Sequence, residues 1–268
     1  MDSKQKAPAL TCPDGSRPRV LLAEDSLAAR VLTAALLRRM GCDVDAVEHG
    51  EEAVEHIQSS GYDVVLMDIE MPVMDGLLAA REIRSLGGEA ARTPIIALSA
   101  FMADSRKAPM WRETFDVSLP KPAGRDQLRS VIQAALDARP CDSAVTSQQE
   151  PADEELAALV DDAEIDNFIS QMSRGELYGL LKTACAEVTA AAGRLVQAVD
   201  AEQLGEARQA AHKIRGIAAT FAAPRLLALA AHFEAAVAAE SERELELLAR
   251  RVQDCAEQTA SALFKAAS

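Results

Sequence analysis

Aromatic side chains are scarce in this chain: one Trp, two Tyr and six Phe among 268 residues, or 3%. Hydrophobic residues still make up 49%, so the apolar content is mainly aliphatic and points to an Ala/Leu-rich, largely helical protein. Basic charge is short as well. Lys and Arg number 28 against 42 Asp and Glu, a formal net charge of −14, so the basic footprint of a nucleic-acid binder is missing. No apolar run approaches the length of a membrane span, and the N-terminus has no apolar signal core. A cytoplasmic protein without a membrane span is expected. Cys12, Cys42, Cys141, Cys185 and Cys255 are odd in number and scattered, with no metal-like or redox-motif spacing, which predicts reduced thiols. Nothing resembles a glycine loop that would cradle a nucleotide phosphate.

What is present is a series of short apolar runs that end in chemistry. Residues 64–67 (VVLM) suit a strand buried on both faces, and Asp68 comes immediately after. Met71-Pro72 and Asp75-Gly76 then mark a tight loop before a helix. Asp68 alone could cap a helix or loop, or it could act chemically. Other strand ends bear on that choice. Residues 20–23 end in Glu24-Asp25, residues 95–98 end in Ser99, and residues 117–119 end in Pro120-Lys121-Pro122. Helix-like segments separate these runs, so the strands should be parallel with right-handed crossovers, and their C-terminal ends should share one edge. Three carboxylates there would repel and raise one another's pKa. A hard divalent cation resolves the repulsion, and Mg²⁺ takes a few carboxylates together with waters and phosphate oxygens. The set reads as a Mg²⁺-assisted phosphoryl site, with Asp68 as nucleophile and with Lys121 and Ser99 neutralising the transferring group.

Around these strands the spacing predicts helices over residues 26–40, 50–60, 76–86 and 127–138, and an edge strand over residues 43–47. A further helix over residues 102–115 should be broken by Pro109. His49 and His56 read as surface histidines. The chain divides into four segments: a mobile N-terminus (1–17), an α/β domain (18–138), a Pro/Ser/Gln-rich linker (139–154) and an all-helical domain (155–268).

Four helices can be drawn in the last segment. One over residues 176–199 carries Leu177, Leu181, Ala184, Val188, Ala192 and Leu195 on one stripe. Asp200 and Gln203 form a cap-and-return pair for the next, residues 201–221. Pro224 opens the third. Ser241 and Glu244 make a capping box for the fourth, which carries Leu245, Leu248, Val252, Cys255, Thr259 and Leu263. Short connections imply an antiparallel four-helix bundle. In the second helix the core stripe is Leu204, Ala207, Ala211, Ile214, Ala218 and Phe221. His212 lies off it, on a face shared with Arg208, Arg215, Gly216 and Ala219. An exposed imidazole between two arginines should have a depressed pKa, and the arginines would later meet a phosphoryl group's charge. Gly216 removes a side chain one turn beyond His212 and would let a partner approach. His232 reads as structural or solvated.

Residues 20–25 (VLLAED), Asp68 with Met71-Pro72 and Asp75-Gly76, residues 97–100 (ALSA) and residues 119–122 (LPKP) together resemble the receiver domain of bacterial response regulators. The resemblance implies a flavodoxin-like, doubly wound, five-stranded parallel sheet. It also implies that Asp68 is the phospho-acceptor, that Glu24, Asp25, Asp68 and the carbonyl of Glu70 hold Mg²⁺, and that Ser99 and Lys121 contact the phosphoryl group. Residues 211–216 (AHKIRG) resemble the histidine phosphotransfer (HPt) domain. That likeness makes His212 a phospho-acceptor, Arg215 its basic neighbour and Gly216 the clearance position. Three positions depart from the families: Ser118 replaces a usual aromatic, Arg215 a frequent lysine and Ala222 a common glycine. The expected function is phosphorelay signalling, with phosphotransfer rather than nucleotide-driven chemistry. The expected partners are an upstream histidine kinase or hybrid kinase and other receiver or HPt domains. Alternatives are a non-phosphorylated adaptor, the C-terminal part of a hybrid sensor kinase, or an Asp-nucleophile phosphatase. The last usually needs an Asp two residues beyond the nucleophile, where this chain has Glu70.

Overall fold

A computed structural model of the chain describes residues 9–99, 114–121, 123–137, 158–161, 174–238 and 242–266. These form two compact units. The first is a parallel sheet of β1 (Arg19–Ala23), β2 (Asp43–Val47), β3 (Val64–Asp68), β4 (Ile95–Ser99) and β5 (Val117–Pro120), in the order β2-β1-β3-β4-β5. The helices α1 (Leu27–Arg39), α2 (Gly50–Ser59), α3 (Gly76–Ser85) and α4 (Arg125–Asp137) cover it. The period of two in the strands explains both faces. Leu21, Ala23, Val65, Met67, Ile95 and Ala97 meet Ala53, Val54 and Ile57 of α2 and Ala79, Ala80 and Ile83 of α3. Val20, Leu22, Val64, Leu66, Ile96 and Leu98 meet Ala34 and Leu37 of α1 and Leu128 and Ile132 of α4. A strand buried on both faces reads as a continuous apolar run, which is why β1, β3 and β4 stand out in the sequence.

Two local details go beyond the sequence pattern. In the N-terminal segment Leu10 and Cys12 are buried, while residues 13–17 are exposed. Leu10 is fully buried in the core between α1 and α4, and its N–H donates to the Met40 carbonyl at 2.7 Å. One apolar side chain and a backbone bond to the end of α1 anchor a segment whose proline and glycine content suggests a tail. His49 is not merely a surface group: its Nδ1 accepts the Glu52 N–H at 3.3 Å and caps α2. Residues 102–113 of the predicted 102–115 helix, Pro109 among them, the linker at 139–154, Cys141 and Ser241 lie outside the described residues.

The second unit is a bundle of α5 (Arg174–Asp200), α6 (Leu204–Thr220), α7 (Pro224–Ala238) and α8 (Glu242–Ala266), each packed on two neighbours. The expected stripes of α5 and α8 are buried throughout. The start of α6 differs from expectation. Asp200 ends α5, Glu202 turns the chain in the left-handed region (φ 57°), and Gln203 makes no side-chain cap bond. The reversal between antiparallel helices uses the residues that a cap reading had assigned to the helix. Leu204, at the helix's first position, is exposed instead of lying in the core.

Ala222 also sits in the left-handed region, at φ 52°, where its carbonyl accepts the Asp161 N–H at 2.8 Å. A Cβ in that conformation crowds the following carbonyl, a clash that glycine avoids. Ala222→Gly is expected to stabilise the bundle by about 1 kcal/mol, read as a higher denaturant midpoint at unchanged slope.

Candidate functional site

The sheet register brings the chemistry-bearing strand ends together. Ala23 pairs with Met67, Asp68 with Leu98 and Ser99 with Pro120, so Glu24, Asp25, Asp68, Ser99 and Lys121 all emerge at one edge. Glu24, Asp68, Ser99 and Lys121 are buried. Lys121 Nζ donates to Glu24 Oε2 at 2.5 Å and to Asp68 Oδ2 at 2.7 Å, and its backbone N–H donates to the Ser99 carbonyl at 2.7 Å. Carboxylate oxygens of Glu24, Asp25 and Asp68 lie within 4.8 Å of one another. Burial pushes the Glu24 carboxyl up to about 8; Asp68 and Asp25 add to the rise, and Lys121 opposes it. Burial alone would lower the Lys121 pKa, but Asp68 and Glu24 more than offset it and hold the ammonium charged. One ammonium facing three carboxylates leaves surplus negative charge in a nearly dry pocket. That donor set fits a hard divalent cation, which would bind by one or two carboxylates and complete its shell with waters or phosphate oxygens.

Asp68 is not spent on capping. Asp75 caps α3, its carboxylate accepting the Leu78 N–H at 2.7 Å. Between them the loop tightens. Met74 N–H donates to the Pro72 carbonyl at 2.7 Å around Val73, which has φ 66°, and Gly76 N–H donates to the Ile69 carbonyl at 2.7 Å. Glu70 lies in this loop, half-buried. A Cβ on Gly76 would fall 2.0 Å from the Asp68 carbonyl oxygen and 2.9 Å from Met67 Cγ. The Met67 side chain can shift, but the Asp68 carbonyl is backbone and cannot yield without moving Asp68. Gly76→Ala is therefore expected to cost about 1–3 kcal/mol of stability, measurable by denaturant unfolding.

In the helical unit, His212 is half-buried and faces α7. Its Nδ1 lies 3.2 Å from Glu234 Oε1 and 3.1 Å from Arg215 Nη2. Arg215 Nη1 donates to Glu234 Oε2, closing a triangle of imidazole, guanidinium and carboxylate. Arg215 is thus buried rather than exposed, and Ala219 is buried with Ile217 and Ala218, so the inner face of α6 is wider than its predicted stripe. Arg208 is exposed, Gly216 half-buried and His232 exposed.

Residues 20–133 match the model of the response regulator receiver domain, and residues 179–262 match that of the Hpt domain. The chain joins a receiver domain to a histidine phosphotransfer domain. Similar proteins include the sensor protein GacS of Pseudomonas syringae (39% identical, covering 43% of this chain and 13% of GacS). A gliding motility regulatory protein of Myxococcus xanthus is 38% identical over 37% of this chain and 13% of its own length. Among solved structures, the receiver domain of the Pseudomonas aeruginosa sensor histidine kinase PA1611, described with a coordinated magnesium ion, is 32% identical. It covers 46% of this chain and 100% of its own, with a TM-score of 0.43. The chain spans 13% of the length of the two curated relatives.

The receiver residues named from the sequence all meet at the sheet edge except Glu70, which stands in the adjoining loop. In the phosphotransfer domain, sequence reading missed Glu234. Residues 22 apart on different helices show no shared period, and only the α6–α7 turn brings them face to face. A lone acid on a helix whose other polar residues are Arg225 and His232 was the available signal. No described helix is long and apolar enough to cross a membrane.

Proposed function

We propose that this protein works in a phosphorelay, receiving a phosphoryl group on Asp68 and carrying one on His212. The observation that carries the receiver half is the bridging of Glu24 and Asp68 by Lys121 beside Asp25. An Asp68 carboxylate oxygen attacks phosphorus, the bond from phosphorus to the donor breaks, and the electron pair leaves with the donor, a phosphohistidine nitrogen of a histidine kinase or HPt domain. Lys121, already on Asp68 Oδ2, then faces the phosphoryl oxygens, and the Ser99 hydroxyl donates to one of them. Asp25 and Asp68, with the Glu70 carbonyl and with Glu24 through water, would hold Mg²⁺, which supplies charge neutralisation on the transferring group when bound. In the second half the His212 ring is the nucleophile, Arg215 and Arg208 are the basic phosphoryl neighbours, and Gly216 leaves room for a partner receiver. The partners are histidine or hybrid kinases and other receiver or HPt domains, and the phosphoryl group comes from them rather than from ATP.

Profiling the purified chain against phosphorylated histidine kinases and a small phosphodonor tests this reading. Two labels are expected: an acyl phosphate labile in acid and alkali, and a phosphohistidine labile in acid but stable in alkali. ATP alone should label neither. Chelation by EDTA should abolish the first label, and an acyl phosphate that forms equally well in EDTA would refute the magnesium role. A chain that takes up neither label from any donor is an adaptor.

A further inference from the structure

Arg30 is a buried charge that the phosphoryl chemistry does not use. It stands in the first turn of α1, and its guanidinium works at two ends. Nη1 donates to the backbone carbonyl of Glu24 at 2.7 Å, in a buried position. Nη2 donates to Glu48 Oε1 at 2.7 Å, near the surface. A salt bridge to an exposed carboxylate contributes little by itself and gives no reason to bury the guanidinium. The inward arm is the informative one.

The strand β1 ends at Ala23, so Glu24 is the first residue past the regular ladder. Its N–H still finds the Val47 carbonyl, at 3.2 Å. Its carbonyl takes the Arg30 guanidinium. The peptide from Glu24 to Asp25 therefore has its carbonyl tied to α1, while the N–H of Glu24 is tied to β2. Rotating that peptide would swing Asp25 away from Glu24 and Asp68, whose carboxylate oxygens now lie within 4.8 Å of its own. The acid cluster spans three positions, two of them consecutive. Its geometry depends on the plane of the one peptide that joins those two. Arginine suits the task because its planar fork can hold a carbonyl and a carboxylate at once, whereas lysine has a single head.

We infer that Arg30 is a positioning residue of the cation site: by clamping the Glu24 carbonyl it sets the direction in which Asp25 presents its carboxylate to a divalent ion. This rests on the reading of Glu24, Asp25 and Asp68 as magnesium ligands. A role confined to anchoring α1 would appear in stability and leave ion affinity untouched.

The experiment is a Mg²⁺ titration of the full chain by calorimetry and amide NMR shifts, with a melting curve for each variant. Arg30→Met should weaken Mg²⁺ binding about tenfold while Glu48→Gln, which spares the inward bond, stays within about twofold, as expected for an outer residue that orients ligands. Arg30→Lys should fall between the two, since its ammonium can reach the carbonyl but cannot also hold Glu48. Wild-type affinity in a folded Arg30→Met chain overturns the inference, as does an equal loss in Glu48→Gln. If Arg30→Met does not fold, Arg30→Gln, which removes the guanidinium and shortens the side chain, decides, and undiminished affinity there overturns it. A wild-type chain that binds no Mg²⁺ overturns the magnesium reading itself, and this inference with it.

Discussion

Replacing Asp68 by Asn is expected to reduce acyl-phosphate formation to background while leaving the protein folded. The two side chains have nearly the same shape, so the buried site keeps its packing. The amide oxygen is a far weaker nucleophile than a carboxylate, and no other described carboxylate accepts the same Lys121 bond except Glu24, which lies deeper at 1% exposure. The stability consequence is opposite to the usual loss from breaking a buried ion pair. Lys121 retains Glu24 at 2.5 Å, so no ammonium is stranded. The Asp68 carboxylate, moreover, is one of the groups that push the Glu24 pKa up. Removing one of three mutually repelling carboxylates should leave the metal-free melting temperature unchanged or raised. Label incorporation from a phosphodonor with Mg²⁺, set beside a melting curve in EDTA, reads both effects. Full labelling of Asp68→Asn would place the acceptor elsewhere. A melting temperature that falls steeply would mean that Lys121 depends on Asp68 rather than on Glu24.

The receiver was legible because its strands are buried on both faces and its chemistry lies at their ends. Residues 64–67 and 95–98 cannot be amphipathic strands, and each run gives way to a polar residue, so sequence order alone places Asp68 and Ser99 at one edge. Gly76 was readable as a turn but not as a contact. Its Cβ clash with the Asp68 carbonyl depends on how α3 enters, which no local pattern reports. Arg30 carried the same difficulty. On a helical wheel it is an ordinary arginine near the start of a helix, and its bond to the Glu24 carbonyl appears only when α1 folds back over β1. In the bundle, the stripes of α5 and α8 keep to the 3.6-residue period and could be read directly. The His212 surroundings could not, because the decisive neighbour comes from another helix. Reading α6 alone places His212 between two positive charges. The structure instead puts the Glu234 carboxylate against the ring and ties Arg215 to it.

That carboxylate leads to a second large effect. His212→Gln should lose the acid-labile, alkali-stable label entirely, and Glu234→Ala is expected to slow its formation about a hundredfold or more, since a carboxylate that fixes an imidazole's tautomer and balances its positive charge contributes on that order. The reason lies at Nδ1, which has two neighbours of opposite kind. A guanidinium can only donate, so a bond from Arg215 to Nδ1 would put the ring proton on Nε2 and remove the lone pair there. An ionised carboxylate can only accept, so a bond from Nδ1–H to Glu234 leaves the lone pair on Nε2. Arg215 already donates to the second oxygen of Glu234, which favours the latter arrangement. Attack by Nε2 on an aspartyl phosphate then breaks the phosphorus–oxygen bond, the electron pair leaves with the carboxylate, and Glu234 balances the positive ring through Nδ1–H. In the reverse direction the same proton lets neutral imidazole depart. Without Glu234, Arg215 loses its carboxylate and can turn to Nδ1. Nitrogen-15 NMR of the imidazole reports the tautomer directly: Nδ1–H is expected in the wild type and Nε2–H in Glu234→Ala. A merely structural role for Glu234 would change stability and leave the tautomer alone, so transfer at wild-type speed with an unchanged tautomer in Glu234→Ala would refute the assignment.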